Sequence, residues 1–180
     1  MTQGDGYGNL DELAIFQALA DHDVEYVLVG GSAARLWGAT RPTRDVDCVA
    51  DMTTANHERL CDALRAMGRP RLRIEGVDDD GAIQLSQSLL HPDFFARTAN
   101  STWRTDSGSI DILSAIPDDD GSDVAYEELR SRAVATPTGR LTIQVAALDD
   151  IITSKQHANR RKDREALPEL IALRDRIRDA

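Results

Sequence analysis

The chain has 180 residues, a formal net charge of −10 and 41% hydrophobic residues, which is typical of a globular protein with a substantial core. The acidic balance argues against a broad, sequence-indifferent nucleic-acid surface. No apolar run approaches the roughly 18 residues that a membrane span needs, and the polar N-terminus does not resemble a signal peptide. We therefore expect a cytoplasmic protein without a membrane partner.

Hydrophobic periodicity predicts alternating helices and strands in the first part of the chain. In chain order these are a helix from an Asn9 N-cap to about His22, a strand over 25–29, a Gly-Gly-Ser turn, a short helix to Trp37, a loop over 38–44, a strand over 45–50, a helix from Thr53 or Thr54 to about Met67, and a short strand over 71–74.

The pattern weakens over 75–100 and recovers afterwards. The weak region favours helices near 82–90 and 92–99. Beyond it the sequence predicts a β-hairpin of 102–105 and 109–114, a helix over 124–132, strands over 133–136 and 141–145, and helices from 147 onward with a break near Asn159.

These elements predict the α/β (α+β) class, with a small mixed β-sheet flanked by helices and a helical C-terminal part. We expect a core of residues 1–146. The helical segment 147–180 should pack on this core, so that the two parts form one compact unit.

Asp45 and Asp47 stand one residue apart in an apolar strand. Because side chains alternate along a strand, both carboxylates point to the same face. Two like charges that close are unfavourable without a compensating cation, which favours a bound Mg²⁺.

A Gly-Gly-Ser turn and a short helix come before the acidic strand in the sequence. Gly30 and Gly31 allow backbone N–H groups to approach an anion at the helix N-terminus, and Ser32 adds a hydroxyl. An anion site beside metal-binding carboxylates suits a nucleoside triphosphate and its magnesium.

The run Val29-Gly30-Gly31-Ser32, followed by Asp45-Val46-Asp47-Cys48, resembles the signature of the nucleotidyltransferase superfamily related to DNA polymerase β. The resemblance implies the fold of that superfamily, an NTP substrate, and two Mg²⁺ ions, with Mn²⁺ as a substitute. It also implies a third carboxylate from a neighbouring strand, and this role falls on Asp111 in Ile110-Asp111-Ile112-Leu113. Asp111 would share a metal with the first two acids and accept the proton of the attacking hydroxyl.

The segment 148–163 resembles a helix of AbiEii-like and MenT-like nucleotidyltransferase toxins, which has a Ser-Lys, a basic stretch and then Lys-Asp. The resemblance implies that Lys155 contacts the triphosphate and offsets charge during the reaction, and that Asp163 supports the nucleotide site. Arg160, Arg161 and Lys162 would suit contacts to an RNA backbone.

In the resembled toxins the acceptor is the 3′ end of tRNA, the added nucleotides block aminoacylation, and an antitoxin restrains the enzyme. The first expectation is therefore a Mg²⁺-dependent nucleotidyltransferase toxin that acts on tRNA and has a cognate antitoxin partner. Two alternatives stay open. One keeps the chemistry but uses a small hydroxylated antibiotic or a protein hydroxyl as acceptor; the other is an inactive binding module such as an antitoxin.

Thr43 is a candidate regulatory residue, because it lies two residues before Asp45 in an accessible loop. If the strand extends that far, its hydroxyl faces the same way as the acids. A phosphate there would add negative charge beside the carboxylates and the incoming triphosphate, and should switch the enzyme off.

Overall fold

The structure is a computed structural model, and it describes residues 10–77 and 79–179. The predicted N-cap, Asn9, lies outside these residues. Within them, no helix combines the length and the apolar character that crossing a membrane would require.

The described residues form eight helices and nine strands. The helices are α1 Glu12–Asp21, α2 Gly30–Leu36, α3 Thr54–Ala66, α4 Asp79–Leu89, α5 Pro92–Arg97, α6 Tyr126–Arg132, α7 Leu148–Ala158 and α8 Arg161–Arg178. The strands are β1 Tyr26–Val29, β2 Asp45–Ala50, β3 Arg71–Leu72, β4 Asn100–Thr105, β5 Gly108–Leu113, β6 Ala115–Pro117, β7 Asp123–Ala125, β8 Val134–Thr138 and β9 Leu141–Val145.

Seven strands form one mixed sheet in the order β3-β4-β5-β2-β1-β9-β8. The pairs β2·β5 and β1·β9 are parallel, and the other four neighbouring pairs are antiparallel. The predicted class, a mixed sheet flanked by helices, is confirmed. The centre of the sheet is the β5-β2-β1 group, which carries both the glycine turn and the acidic strand.

A single apolar core surrounds the central strands. Its largest fully buried side chains include Trp103 from β4, Phe95 from α5 and Leu28 from β1. Along β2, Val46 and Cys48 are fully buried, whereas Asp45 and Asp47 are half-buried. This alternation turns one face of β2 into the core and leaves the other face for the acids.

Two predicted boundaries were wrong. Helix α1 begins at Glu12 with Asp11 as its cap, because the Asp11 carboxylate accepts the backbone N–H of Ala14 at 3.0 Å. The helix predicted over 124–132 begins at Tyr126, since 123–125 forms β7. The β6–β7 hairpin went unpredicted because each of its strands has only three residues, too few to show a periodic pattern.

The two C-terminal helices share the core with the sheet. Ile151, Ile152, Ala166 and Leu170 belong to the same buried cluster as the strands. Asn159, with a positive φ of 46°, forms the left-handed break between α7 and α8. The division at residue 146 stays a prediction, but the helical segment packs directly on the core.

Candidate active site

Asp45, Asp47 and Asp111 lie on neighbouring strands and form what we call the acid row. In the parallel pair β2·β5, Asp47 is the direct register partner of Asp111, and Asp45 is the partner of Ser109. Directly paired residues project to the same face of a sheet. The sheet register therefore brings together the three acids that the sequence proposed for one site.

Burial and neighbouring carboxylates raise the pKa values of Asp47 and Asp111. Burial first, and then the charges of Asp45 and Asp111, raise the pKa of Asp47 to about 7, although the Gly31 N–H and the Lys162 charge oppose the shift. Burial also raises the pKa of Asp111, and Asp45 adds to this while Thr102 and Lys162 lower it. The row therefore stores electrostatic repulsion that a cation would relieve.

The glycine turn is packed against the acid row. Gly30 has φ +67°, and a β-carbon there would collide with the Asp47 carboxylate. A β-carbon on Gly31 would lie 2.6 Å from the Thr43 hydroxyl oxygen. Both glycines are thus required by close approach of neighbouring side chains, and Gly31 directs its N–H to Asp47.

The Ser32 hydroxyl, which the sequence assigned to a phosphate, contacts other protein groups in the structure. Its side chain is 1% exposed, and its hydroxyl lies 2.5 Å from a Glu12 carboxylate oxygen and 3.3 Å from the Asp45 carbonyl oxygen. Glu12 in turn pairs with Arg35 at 2.9 Å. The hydroxyl therefore ties α2 to α1 and β2, and only the Ser32 backbone N–H remains at the helix N-terminus for an anion.

Thr43 contacts the acid row directly. Its hydroxyl lies 3.1 Å from Asp45 Oδ1 and also 3.1 Å from the Asp45 carbonyl oxygen. Thr43 precedes β2, and it is partly buried against Gly31. The side chain therefore fixes the orientation of Asp45.

Asp163 anchors the cationic side of the site. Its side chain is fully buried, and it accepts hydrogen bonds from Arg160 Nε at 2.7 Å and from Lys155 Nζ at 3.5 Å. Burial raises the pKa of the Asp163 carboxyl, but Arg160 and Lys155 lower it more, so that the pKa falls below its usual value. Asp163 thus holds the Lys155 ammonium in place across the α7–α8 junction.

The basic cluster at the start of α8 is partly neutralised within the protein. Arg160 pairs with Asp163, and Arg161 pairs with Glu165 at 2.9 Å. Lys162 is exposed, and its charge lowers the pKa of both Asp47 and Asp111. Of the three residues proposed for RNA contact, Lys162 is the one that faces the acids.

A pocket of about 330 Å³, the first pocket, joins the glycine turn to the C-terminal helices. Its charged lining residues are five bases and three acids: Arg41, Arg44, Lys155, Arg160, Lys162, Asp45, Asp47 and Glu169. Basic side chains therefore outnumber acidic ones along this lining, although Lys155 and Arg160 pair with Asp163, and Arg41 pairs with Glu165. Such a lining suits a polyphosphate. Arg41 and Arg44 were not singled out from the sequence, although both flank Pro42-Thr43 just before the acids.

A second pocket, also about 330 Å³, lies on the other side of Asp111. It is lined by Leu72, Arg73, Phe94, Thr98, Asn100, Ser101, Thr102, Asp111 and Leu113. Leu113 lines both pockets, so the two meet at the end of β5. Of these residues, only Asp111 was assigned a function from the sequence.

The acid row offers the type of ligand that a divalent cation prefers, but the described structure does not gather the three acids into a metal site. Asp111 Oδ1 is buried without a hydrogen-bond partner, and the donors are all carboxylate oxygens, which Mg²⁺ prefers. In the described residues, no three His, Cys, Asp or Glu side chains are already gathered as metal ligands. Asp45 is engaged by Thr43, and Asp47 by Gly31, so that neither carboxylate is turned freely toward a common point.

Searches against family models and curated proteins found no match. Three solved structures resemble the fold at low sequence identity. The lincosamide antibiotic adenylyltransferase LnuA, with lincomycin bound, has a TM-score of 0.59 and 14% identity over 92% of this chain and 99% of its own. A candidate nucleotidyltransferase from Thermotoga maritima has a TM-score of 0.54 and 14% identity over 93% and 98%.

The third structure is ANT(2″)-Ia in complex with adenylyl-2″-tobramycin, with a TM-score of 0.52 and 15% identity over 93% of this chain and 95% of its own. All three matches span nearly the whole of both chains. The chain therefore has the nucleotidyltransferase fold.

Proposed function

We propose that this protein is a Mg²⁺-dependent nucleotidyltransferase, which transfers a nucleoside monophosphate from an NTP to an acceptor hydroxyl. The observation that carries the proposal is the position of the acid row, between a glycine turn and a pocket with an excess of basic side chains. This fold and this arrangement agree with the motif resemblance, and the pocket adds Arg41 and Arg44, which lie outside the quoted motifs.

In the proposed reaction the triphosphate lies in the first pocket. The Ser32 backbone N–H at the start of α2 faces its phosphates, and Lys155, held by Asp163, offsets the charge that develops on the leaving group. An acceptor oxygen forms a bond to the α-phosphorus while the bond to the bridging α–β oxygen breaks, and pyrophosphate leaves. The hydroxyl proton passes to the carboxylate of Asp111.

Asp45, Asp47 and Asp111 would hold the divalent cations. When bound, these ions would polarise the phosphate oxygens and lower the pKa of the acceptor hydroxyl. Burial and neighbouring carboxylates disfavour the charged forms of Asp47 and Asp111, and a bound cation would offset this cost.

For the acceptor, we propose the 3′ end of tRNA, which would make the protein the toxin of a toxin–antitoxin pair. The three exposed basic residues at the start of α8 support this choice, since an RNA backbone is a polyanion. Lys162, exposed and facing the acids, is the best placed of the three basic residues at the start of α8.

A small hydroxylated antibiotic is the second candidate acceptor. It is favoured by the likeness to LnuA, which is known with lincomycin bound, and to ANT(2″)-Ia, which is known with adenylyl-2″-tobramycin. An inactive binding module is less well supported, because such a protein would have no reason to keep all three acids and Lys155 converging on the same pair of pockets.

The proposal can be tested by incubating the protein with each α-labelled NTP, Mg²⁺ and one acceptor at a time: total tRNA, tobramycin or lincomycin. We expect label in tRNA, and none in tRNA whose 3′ hydroxyls were destroyed by periodate. Asp45→Asn should abolish labelling, whereas Asp123→Asn, in exposed β7, should not. Absence of label from every acceptor with every NTP, with a folded protein, would overturn the proposal.

A further inference from the structure

Two further polar residues follow the acid row across the sheet beyond Asp111. In the antiparallel pair β4·β5, Thr102 is the register partner of Asp111, and the Arg73 N–H donates to the Thr102 carbonyl at 2.8 Å. Four polar residues therefore follow one another across the sheet: Asp47 on β2, Asp111 on β5, Thr102 on β4, and Arg73 directly after β3. Strands lie about 4.8 Å apart, so the Arg73 backbone lies about 10 Å from that of Asp111.

The two pockets lie next to each other along this line. The first pocket contains Asp45, Asp47 and the basic residues of α7 and α8, and the second contains Asp111, Thr102 and Arg73. Displacement at phosphorus places the attacking and leaving oxygens on opposite sides of the reacting atom. With the triphosphate in the first pocket, the second pocket is placed to present the acceptor hydroxyl, because it contains Asp111.

The lining of the second pocket indicates which acceptor it takes. Its charged side chains are one acid, Asp111, and one base, Arg73. A polycationic aminoglycoside would meet a single carboxylate, already committed to the reaction, and would be repelled by the guanidinium. An acceptor that carries one phosphate near its hydroxyl fits this distribution of charge.

The apolar part of the pocket suits a flat ring. Phe94 is half-buried and lines the pocket, and its ring is held nearly perpendicular to Phe95 at 5.4 Å and to Trp103 at 5.8 Å between centroids. A base can stack on an aromatic side chain that is fixed in this way. Leu113 extends the apolar surface toward the first pocket.

We infer that the second pocket is the acceptor site and that it binds the 3′-terminal nucleotide of an RNA, with the ribose hydroxyl at Asp111, the base on Phe94 and the adjoining phosphate at Arg73. This inference rests on the proposed nucleotidyl transfer and adds to it the residues that select the acceptor.

The test measures binding and transfer separately, with a 5′-fluorescent RNA trinucleotide that carries a free 3′ hydroxyl. The variants are Arg73→Gln, Phe94→Leu and Phe94→Tyr, with Arg97→Gln, on the exposed surface of α5, as the matched control. We expect Arg73→Gln and Phe94→Leu each to weaken RNA binding by about tenfold, and Phe94→Tyr to retain it. The KM for NTP should not change in any of them.

The salt dependence of RNA binding distinguishes the two contacts. Arg73→Gln should flatten it, because one phosphate contact is lost, whereas Phe94→Leu should leave the slope unchanged. Equal RNA affinity in Arg73→Gln and Arg97→Gln would overturn the inference. So would transfer to lincomycin or tobramycin but not to RNA, a result that leaves nucleotidyl transfer intact. The wild type could also bind RNA without labelling any acceptor. If Arg73→Gln and Phe94→Leu then lost RNA binding, the second pocket would stand as an RNA site, and the proposed nucleotidyl transfer would be rejected.

Discussion

Gly30 and Asp47 are in such close contact that a β-carbon on residue 30 would lie 2.6 Å from the carboxyl carbon of Asp47. The positive φ of Gly30 adds a second obstacle to any side chain. The glycine turn and Asp47 are therefore one packed unit.

Gly30→Ala should consequently destabilise the fold and displace Asp47. The matched control is Gly76→Ala, since Gly76 has a similar φ of +79° but no atom within 4 Å of the added carbon. We expect about 1 kcal/mol from backbone strain in Gly76→Ala, and at least twice that in Gly30→Ala, measured by urea unfolding. In a protein that already carries Asp47→Ala, Gly30→Ala should cost no more than Gly76→Ala costs in the wild type; a larger cost would show that the carboxylate is not what the methyl group meets.

The second prediction concerns Asp47 and pH. Its pKa of about 7 in the folded chain lies well above the ordinary value of an aspartate carboxyl, so the folded state binds the proton more tightly. The free energy of unfolding should therefore fall as the pH rises through this interval. Asp47→Asn removes this loss and should be about 2 kcal/mol more stable than wild type at pH 8 without divalent cations, a value reduced from the full shift because the side chain is only half-buried.

Urea unfolding in EDTA at pH 4, 6 and 8 checks this expectation. The two proteins should be equally stable near pH 4 and should diverge above it. Mg²⁺ should stabilise the wild type at pH 8 but not Asp47→Asn, and the variant should have no transfer activity. Parallel stability curves at all three pH values would show that the acids do not repel one another as the structure indicates.

The third prediction concerns Asp163, which is fully buried between two cations. Asp163→Asn leaves Lys155 and Arg160 without a counter-charge, and it should cost about 3 kcal/mol of stability. Because the folded pKa of Asp163 is lowered, its stabilisation is present above its unfolded pKa and is lost as the pH falls through the folded value. The matched control is Glu165→Gln, an exposed ion pair with Arg161, whose unfolding curve should not move; equal effects of the two substitutions would contradict the assignment.

The fourth prediction separates charge from geometry at Lys155. Lys155→Ala should lower NTP affinity and turnover together, because the ammonium would contact the triphosphate throughout the reaction. Lys155→Arg should rescue little, since a planar guanidinium cannot take the same position beside Asp163. Kinetics of the arginine variant that match wild type would mean that only the net charge matters.

The fifth prediction addresses Thr43 as a point of control. Thr43→Val removes the hydrogen bond to Asp45 and should reduce activity only partly, whereas Thr43→Ser should keep it. Thr43→Glu places a negative charge beside the acids and should abolish NTP binding, as a phosphate on Thr43 would. A glutamate variant as active as the valine variant would exclude charge-based control at this position.

The sequence predicted the fold well where short motifs and regular periods coincide. Alternation along 45–50 and the glycines at 30 and 31 were enough to place the turn and two of the acids, and the break at Asn159 appears where it was expected. The pairing of Asp47 with Asp111 could be expected only through resemblance, because register between strands distant in the chain leaves no local pattern.

The second pocket could not be predicted for the same reason. Arg73 and Phe94 lie in irregular or weakly periodic segments, and their relation to Asp111 arises only from the order of β3, β4 and β5 in the sheet. Ser32 shows the opposite limitation. Its motif position indicated a phosphate contact, but a tertiary hydrogen bond to Glu12 from α1 uses its hydroxyl instead.

The walls of the first pocket come from distant parts of the chain. The glycine turn and two acids belong to α2 and β2, whereas Lys155 and Lys162 belong to α7 and α8. The pocket is therefore complete only while α7 and α8 pack on the sheet, through residues such as Ile151 and Leu170. A local opening of these two helices would leave the acids in place and remove the cations that line the pocket with them.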